Sequence, residues 1–349
     1  MQADYPEMPL EFGLYTLGDH MPNPMTHEQI PPQERLRQII KLGQLAEQAG
    51  FDSFQVGESH QQYFVSQSHF SILAALAAMT KRIKIGSSVT TLSVLDPVRV
   101  YEDATTIDLL SNGRMELVAG RASRLGGFQL YGIDQEDYTD IFEEKLALLK
   151  QLLVHPEAVT WSGRYRSSLH QQTLYPKPLR KLPLYRGVGN TASSAIKAGQ
   201  AGLGLYQAHL AGSTNMYKHR IDSYRKAGVE AGYTLEELPV QTGGLTMVKK
   251  NQDDAFRTAY RYIDHGFVLA NGQHFNKRAF AQGRSVKSIV NVGDPALVID
   301  KLLYQYEHLH QNRLSFEIDF GGLPWSDIQE TFDLLAEEVL PAVKRQLKQ

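Results

Sequence analysis

The 349-residue sequence predicts an α/β fold, a single (β/α)8 TIM barrel with insertions, on three observations. Strand-like and helix-like segments alternate from end to end. The strands are short apolar or β-branched runs bounded by Gly, Pro or Asn, as parallel strands buried on both faces are. No shift in composition divides the chain, and one barrel of this length is ordinary. A doubly wound open sheet is the alternative arrangement.

Taken in order, the first strand is expected over Leu10–Leu17, followed by the helical stretch ERLRQIIKLGQLAEQAG. Leu36, Ile39, Ile40, Gly43 and Ala46 share one face of that helix, and Gly50 stops it. Ser53–Glu58 and Ile83–Thr90 supply the second and third strands. Asp96 then reads as an N-cap with Pro97 at the first helical position, opening VRVYEDATTIDLL. Ser111-Asn112-Gly113-Arg114 turns the chain into the fourth strand, Arg114–Ala119. The second half offers Leu182–Val188, Gly202–Tyr206, Val240–Val248 and Leu314–Phe320, with Asp294-Pro295 repeating the helix-opening device.

Two stretches exceed a bare barrel. Within an insertion at about 155–180, Val159–Ser167 is expected to be a hairpin turning at Ser162-Gly163. From His265 to Val292 no periodicity is evident, and Gly, Asn, Lys and Arg are frequent, with Lys277, Arg278, Arg284 and Lys287 among them. An irregular segment of that length is either functional or disordered; an active-site cover, a mobile lid, is the expectation.

Composition narrows the function. Hydrophobic residues make up 42% and charged residues 21%, enough for a large core. A net charge of -2 with scattered Lys and Arg argues against nucleic acid and against an anionic membrane surface. The absence of cysteine removes disulfides, thiolate metal sites and a cysteine nucleophile. The opening MQADYPEMPLEFG shows no basic start followed by an apolar stretch, so a cytoplasmic protein is expected.

Barrel sites form at the C-terminal ends of the strands. After the second strand come Glu58-Ser59-His60, after the third Ser87-Ser88-Val89-Thr90, after the fourth Gly120-Arg121-Ala122-Ser123, and after the fifth Gly187-Val188-Gly189-Asn190-Thr191. The last is strand, glycine turn, then helix. Gly187, Gly189 and Ala192 match G-x-G-x-x-G/A, but no acidic residue follows about 20 positions on, where the chain reads Tyr206-Gln207-Ala208-His209. A phosphate held by the helix N-terminus and by Thr191, Ser193 and Ser194 is the favoured reading, and an ordinary N-cap the plain one. Arg121 suits a phosphate or a salt bridge, for example to Glu58. His60 is a candidate acid–base group or a bystander, and Glu58 a functional or a merely paired carboxylate. Tyr138 is a phosphate ligand or a loop aromatic. Glu58 and His60 with Asp19 and His20 make a weak metal alternative, that of a barrel hydrolase, without an H-E-x-x-H helix to support it. No G-x-S-x-G elbow points to serine hydrolysis.

Together these segments resemble the bacterial luciferase-like family of flavin-dependent monooxygenases and oxidoreductases, from about Leu10 to Val343. The most specific part is IKIGSSVTTLSVLDPVRVYEDATTIDLLSNGRMELVAGR, Ile83–Arg121; LEFGLY, AEQAGFDSF, WSGRYR and the late VGDP add to it. The resemblance implies FMN in the barrel mouth, delivered reduced by a separate flavin reductase and used with oxygen on a small organic substrate, in a homodimer. It implies a non-proline cis peptide at Ser88-Val89 against the flavin ring. It also places Arg121, Asn190, Thr191 and Ser193, and in some branches Tyr138, around the flavin phosphate. Many relatives read Glu-His-His where this chain has Glu58-Ser59-His60, so the histidine of true luciferases is replaced by Ser59. The alternatives are a deazaflavin-dependent hydride-transfer enzyme on the same barrel and a non-catalytic flavin-binding protein.

Overall fold

The computed structural model describes residues 9–121 and 126–348. Eight parallel strands close into a ring in chain order: β1 (Glu11–Thr16), β2 (Ser53–Val56), β3 (Lys84–Ser87), β4 (Met115–Gly120), β5 (Leu184–Val188), β6 (Gly204–His209), β7 (Val240–Val248) and β8 (Arg313–Glu317). The registers run without interruption, Leu14 against Phe54, Gln55 against Gly86, Gly86 against Glu116, Val118 against Tyr185, Gly187 against Tyr206, Thr242 against Gln207 and Gly243 against Ser315. Gly13 against Ser315 closes the ring. The barrel prevails over the open sheet because β8 pairs with both β1 and β7.

The local signals explain the crossovers. The helix Pro32–Gln48 buries Ile39, Leu42, Gly43 and Ala46, and Gly50 ends it at a positive φ of 79°. Its face is turned slightly from the expected one: Leu42 is buried and Leu36 and Ile40 are half-buried. Asp96 caps Pro97–Leu110 by accepting from Val98 N–H at 2.9 Å, and Asp294 caps Pro295–Leu309 by accepting from Leu297 N–H at 2.9 Å. These helices and the barrel exterior share one large core containing Phe12, Leu14, Phe54, Leu73, Tyr101, Leu149 and Phe316.

Three expectations need correction. The third strand does not run through Thr90: it stops at Ser87, and Thr90–Thr91 pairs separately with Ala119 and Gly120. The hairpin exists as Val159–Trp161 against Leu169–Gln172, but it does not turn tightly at Ser162-Gly163. Its long tip is held because the Glu144 carboxylate accepts from the N–H groups of Arg164, Tyr165 and Arg166 at 2.7, 3.0 and 3.1 Å. The third correction concerns residues 265–292, which are not irregular. The helix Gln252–Asn271 continues into them, a short helix follows at Lys277–Ala281, and Asn291–Gly293 pairs with the end of β7. Phe275 and Phe280 bury themselves against Phe256, Tyr260 and Phe267, which fixes a segment too short in each piece to show a period.

Candidate functional site

The C-terminal rim is organised around the break after β3. The Ser88-Val89 peptide bond is cis. Ser88 N–H donates to Val56 C=O and Glu58 N–H donates to Val89 C=O, both at 3.0 Å, so β2 holds the segment on both sides. Three glycines from three strand ends make room for it. A Cβ at Gly57 would lie 2.4 Å from Ser88 O, one at Gly120 2.5 Å from Val89 Cγ2, and one at Gly187 2.8 Å from Val89 Cγ1. Sequence reasoning gave Gly57 and Gly120 no such role, because each sits in a different strand. Below Val89 lie Val118, Tyr185 and Tyr206, with Tyr206 edge-on to Tyr15 at 6.4 Å. Burial raises the hydroxyl pKa of both Tyr15 and Tyr206, and Glu317 adds to the effect on Tyr15, so both are neutral phenols.

Glu58 is the hub of the second strand end. Its Oε1 meets His60 Nε2 at 2.5 Å, its Oε2 accepts from Thr91 N–H at 2.7 Å, and His69 Nδ1 stands 3.7 Å away. The carboxylate is buried and paired. His60 packs edge-on against Tyr131 at 5.1 Å, under the short helix Gly126–Leu130. His69 was not anticipated, since it lies in the apolar helix His69–Met79 with nothing local to mark it. Its Nε2 meets Thr90 Oγ1 at 2.9 Å, and burial lowers its pKa to about 4 against the pull of Glu58, so it is neutral at pH 7. Ser59 is buried, and its Oγ has no protein partner among the described residues.

Arg121 does not pair with Glu58. It reaches the start of the helix Tyr138–Val154, where Nη1 meets Thr139 Oγ1 at 3.4 Å and the guanidinium lies 5.5 Å from the Tyr138 ring. Tyr138 packs on Phe128 at 5.6 Å. Ala122 and Ser123, named with Arg121 as the fourth strand end, lie outside the described residues. On the neighbouring strand end, Gly189, Asn190, Thr191, Ala192 and Ser193 are exposed at the start of the helix Ala192–Gln200. Thr191 makes no side-chain capping bond, so the ordinary N-cap does not account for it. Ser194, by contrast, is buried and accepts from Arg186 Nε at 3.0 Å, which removes it from the exposed set. Arg186 is itself held by Glu143 through both carboxylate oxygens, at 2.7 and 2.8 Å.

The metal alternative does not assemble. His20 Nε2 meets Ile30 C=O at 2.6 Å and Asp19 Oδ2 accepts from Gly321 N–H at 2.8 Å. Among the described residues no group of three or more His, Asp or Glu comes together to hold an ion.

With this geometry in place, comparison with known proteins is decisive at the level of family. A family model described as luciferase-like monooxygenase matches residues 10–309. The chain belongs to the luciferase-like monooxygenase family. It is therefore an oxidoreductase, in a family whose members use flavin or the deazaflavin F420. It is 25% identical over 244 residues to the alkanal monooxygenase alpha chain of Photorhabdus laumondii subsp. laumondii, covering 68% of this chain and 67% of the relative. It is 24% identical over 350 residues to an F420-dependent glucose-6-phosphate dehydrogenase of Microbacterium testaceum, covering 91% and 95%. The oxygenating constituent of 3,6-diketocamphane monooxygenase from Pseudomonas putida, solved in complex with FMN, superposes with a TM-score of 0.76 at 17% identity over 96% of this chain and 99% of that one. That likeness establishes the shared fold.

Proposed function

We propose that this luciferase-like protein is an FMN-dependent monooxygenase that takes reduced flavin from a separate flavin reductase and oxygenates a small organic substrate. The observation that carries this reading is the exposed, uncapped start of the helix Ala192–Gln200 on the strand end next to Arg121. Free N–H groups, a positive dipole end and a forked guanidinium suit a flavin phosphate. A Cβ at Gly189 would meet nothing within 4 Å, so that cradle is open. The residues present thus fit the cofactor, which when bound supplies the oxygen-dependent redox chemistry. Asn190, Thr191 and Ser193 with Arg121 and Tyr138 hold its phosphate end, and Ser88 and Val89 support its ring. The Glu58 carboxylate orients His60, and His60 serves as the general acid–base group. Gln61 Nε2 donates to Ala270 C=O at 3.2 Å, so the segment 265–292 stands beside the His60 loop as a cover that limits water.

A second reading is favoured by one observation: the Microbacterium testaceum relative, alike along 91% of this chain, is named for F420. On that reading the same rim holds a deazaflavin for hydride transfer. Anaerobic fluorescence titration of the purified protein with reduced FMN and with F420, followed by oxygen uptake, separates the two. Tighter binding of reduced FMN and substrate-dependent oxygen consumption are expected. Binding of F420 with no measurable FMN binding would replace the first reading by the second.

A further inference from the structure

We infer that Gln207, on the sixth strand, is a positioning residue that turns the backbone after β5 into an anion cradle. This rests on the phosphate reading above and adds to it the side chain that shapes the site. The Gln207 side chain is wholly buried, and its Nε2 donates to three carbonyls: Val188 at 3.2 Å, Gly189 at 3.0 Å and its neighbour Ala208 at 2.9 Å. In a planar trans peptide the C=O and the following N–H point in opposite directions. Drawing the Val188 and Gly189 carbonyls onto Gln207 therefore turns the N–H groups of Gly189 and Asn190 away from it. Neither of these, nor the N–H of Thr191, donates to a protein group among the described residues. The space in front of Gly189 is open. Successive N–H groups turned outward form an anion-binding concavity, and here it runs directly into a helix N-terminus.

The unused half of the amide supports the same conclusion. Gln207 Oε1 is buried without a partner among the described residues. Burying a polar atom unpaired is costly, and a Met or Leu would fill the space without that cost. What an apolar side chain cannot supply is the donor that fixes the two carbonyls. The sequence holds a hint of this: where an acidic residue would follow a dinucleotide-binding glycine turn, the chain has Tyr206-Gln207-Ala208-His209.

The experiment compares FMN and riboflavin, which differ by the phosphate, in fluorescence titrations of wild type, Gln207→Met and Gln207→Glu, with thermal unfolding as a check on folding. Met keeps the length and removes the donors. Gln207→Met is expected to weaken FMN binding about tenfold or more and leave riboflavin affinity within about twofold. In Gln207→Glu an ionised carboxylate would face three carbonyl oxygens, so FMN affinity should fall as well and recover in part at lower pH, where the protonated acid regains one donor. Unchanged FMN affinity in a folded Gln207→Met protein, or equal losses for the two flavins, would overturn the role of Gln207 and leave the phosphate site standing. Equal affinity of wild type for FMN and riboflavin would instead overturn the phosphate site, and the inference with it.

Discussion

At the N-terminal floor of the barrel, Arg313 lies between two carboxylates. It donates to Glu116 at 2.6 Å and to Glu11 at 2.8 Å, and Lys84 pairs with Glu11 in turn. Burial alone would lower the Arg313 pKa, but Glu116 and Glu11 hold it well above its ordinary value. At the C-terminal mouth the polar groups are left incomplete. Ser59 Oγ lacks a protein partner among the described residues, the helix start at Thr191 has no side-chain cap, and Arg121 reaches only Thr139 Oγ1 at 3.4 Å and the Tyr138 ring at 5.5 Å among the described residues. The same ring of strands thus closes its charges at one end and leaves donors open at the other. Saturated polar groups add rigidity, whereas unsaturated ones in an open rim are where a ligand completes the set.

The contrast breaks most readily at the floor. Arg313→Met strands two carboxylates, and breaking a buried ion pair costs about 3–5 kcal/mol. Denaturant unfolding should show that loss, while flavin affinity of the folded fraction stays unchanged; a loss under about 1 kcal/mol would mean that the floor is not the stabilising end.

At the mouth the expected effect is on turnover. His60→Ala should lower it about 10²-fold with FMN affinity nearly constant, the signature of a lost acid–base group. A fully active variant with an unaltered pH profile would remove His60 from the chemistry. Ser59→His tests the departure from the luciferases in the opposite direction, with aldehyde oxidation as the gain to look for.

Proton uptake sharpens the comparison further, since at the mouth burial holds the His69 imidazole neutral. The His69 pKa falls from an unfolded value of 6.5 to about 4 in the folded chain, so its contribution is complete above pH 6.5 and is lost as pH falls toward 4. From pH 7 to pH 5 that amounts to about 2 kcal/mol. His69→Gln should flatten the acid limb of the stability curve by that amount; an unchanged slope would show that His69 is not buried neutral. The smallest effect concerns 265–292. Its aromatics anchor it, so limited proteolysis there should be slow without flavin and slower with it, and cleavage indifferent to saturating FMN would separate this segment from the site.

Much of the fold was legible because buried strands and capped helices carry local signals. Asp96, Asp294 and Gly50 act where the sequence places them. The third strand ends earlier than its sequence suggests because Gly57 against Ser88, and Gly120 and Gly187 against Val89, come together only once three separate strands are side by side. Residues 265–292 show no period in the sequence because they hold only the end of the helix Gln252–Asn271 and one short helix at Lys277–Ala281, held by Phe275 and Phe280 rather than by a periodic face. In the site, glycine turns and strand-end residues were visible as types. The partners that give them roles, His69 for Glu58 and Gln207 for Gly189, are 11 and 18 residues distant and buried, with no motif to announce them.

The central claim is that the open donors of the mouth are a phosphate site, and Arg121→Ala tests it most directly. Equilibrium titration should show the variant binding FMN more weakly by about 1.5–3 kcal/mol, the range for a hydrogen bond to a charged group, with riboflavin affinity and unfolding midpoint unchanged. Equal FMN affinity in wild type and Arg121→Ala would contradict it.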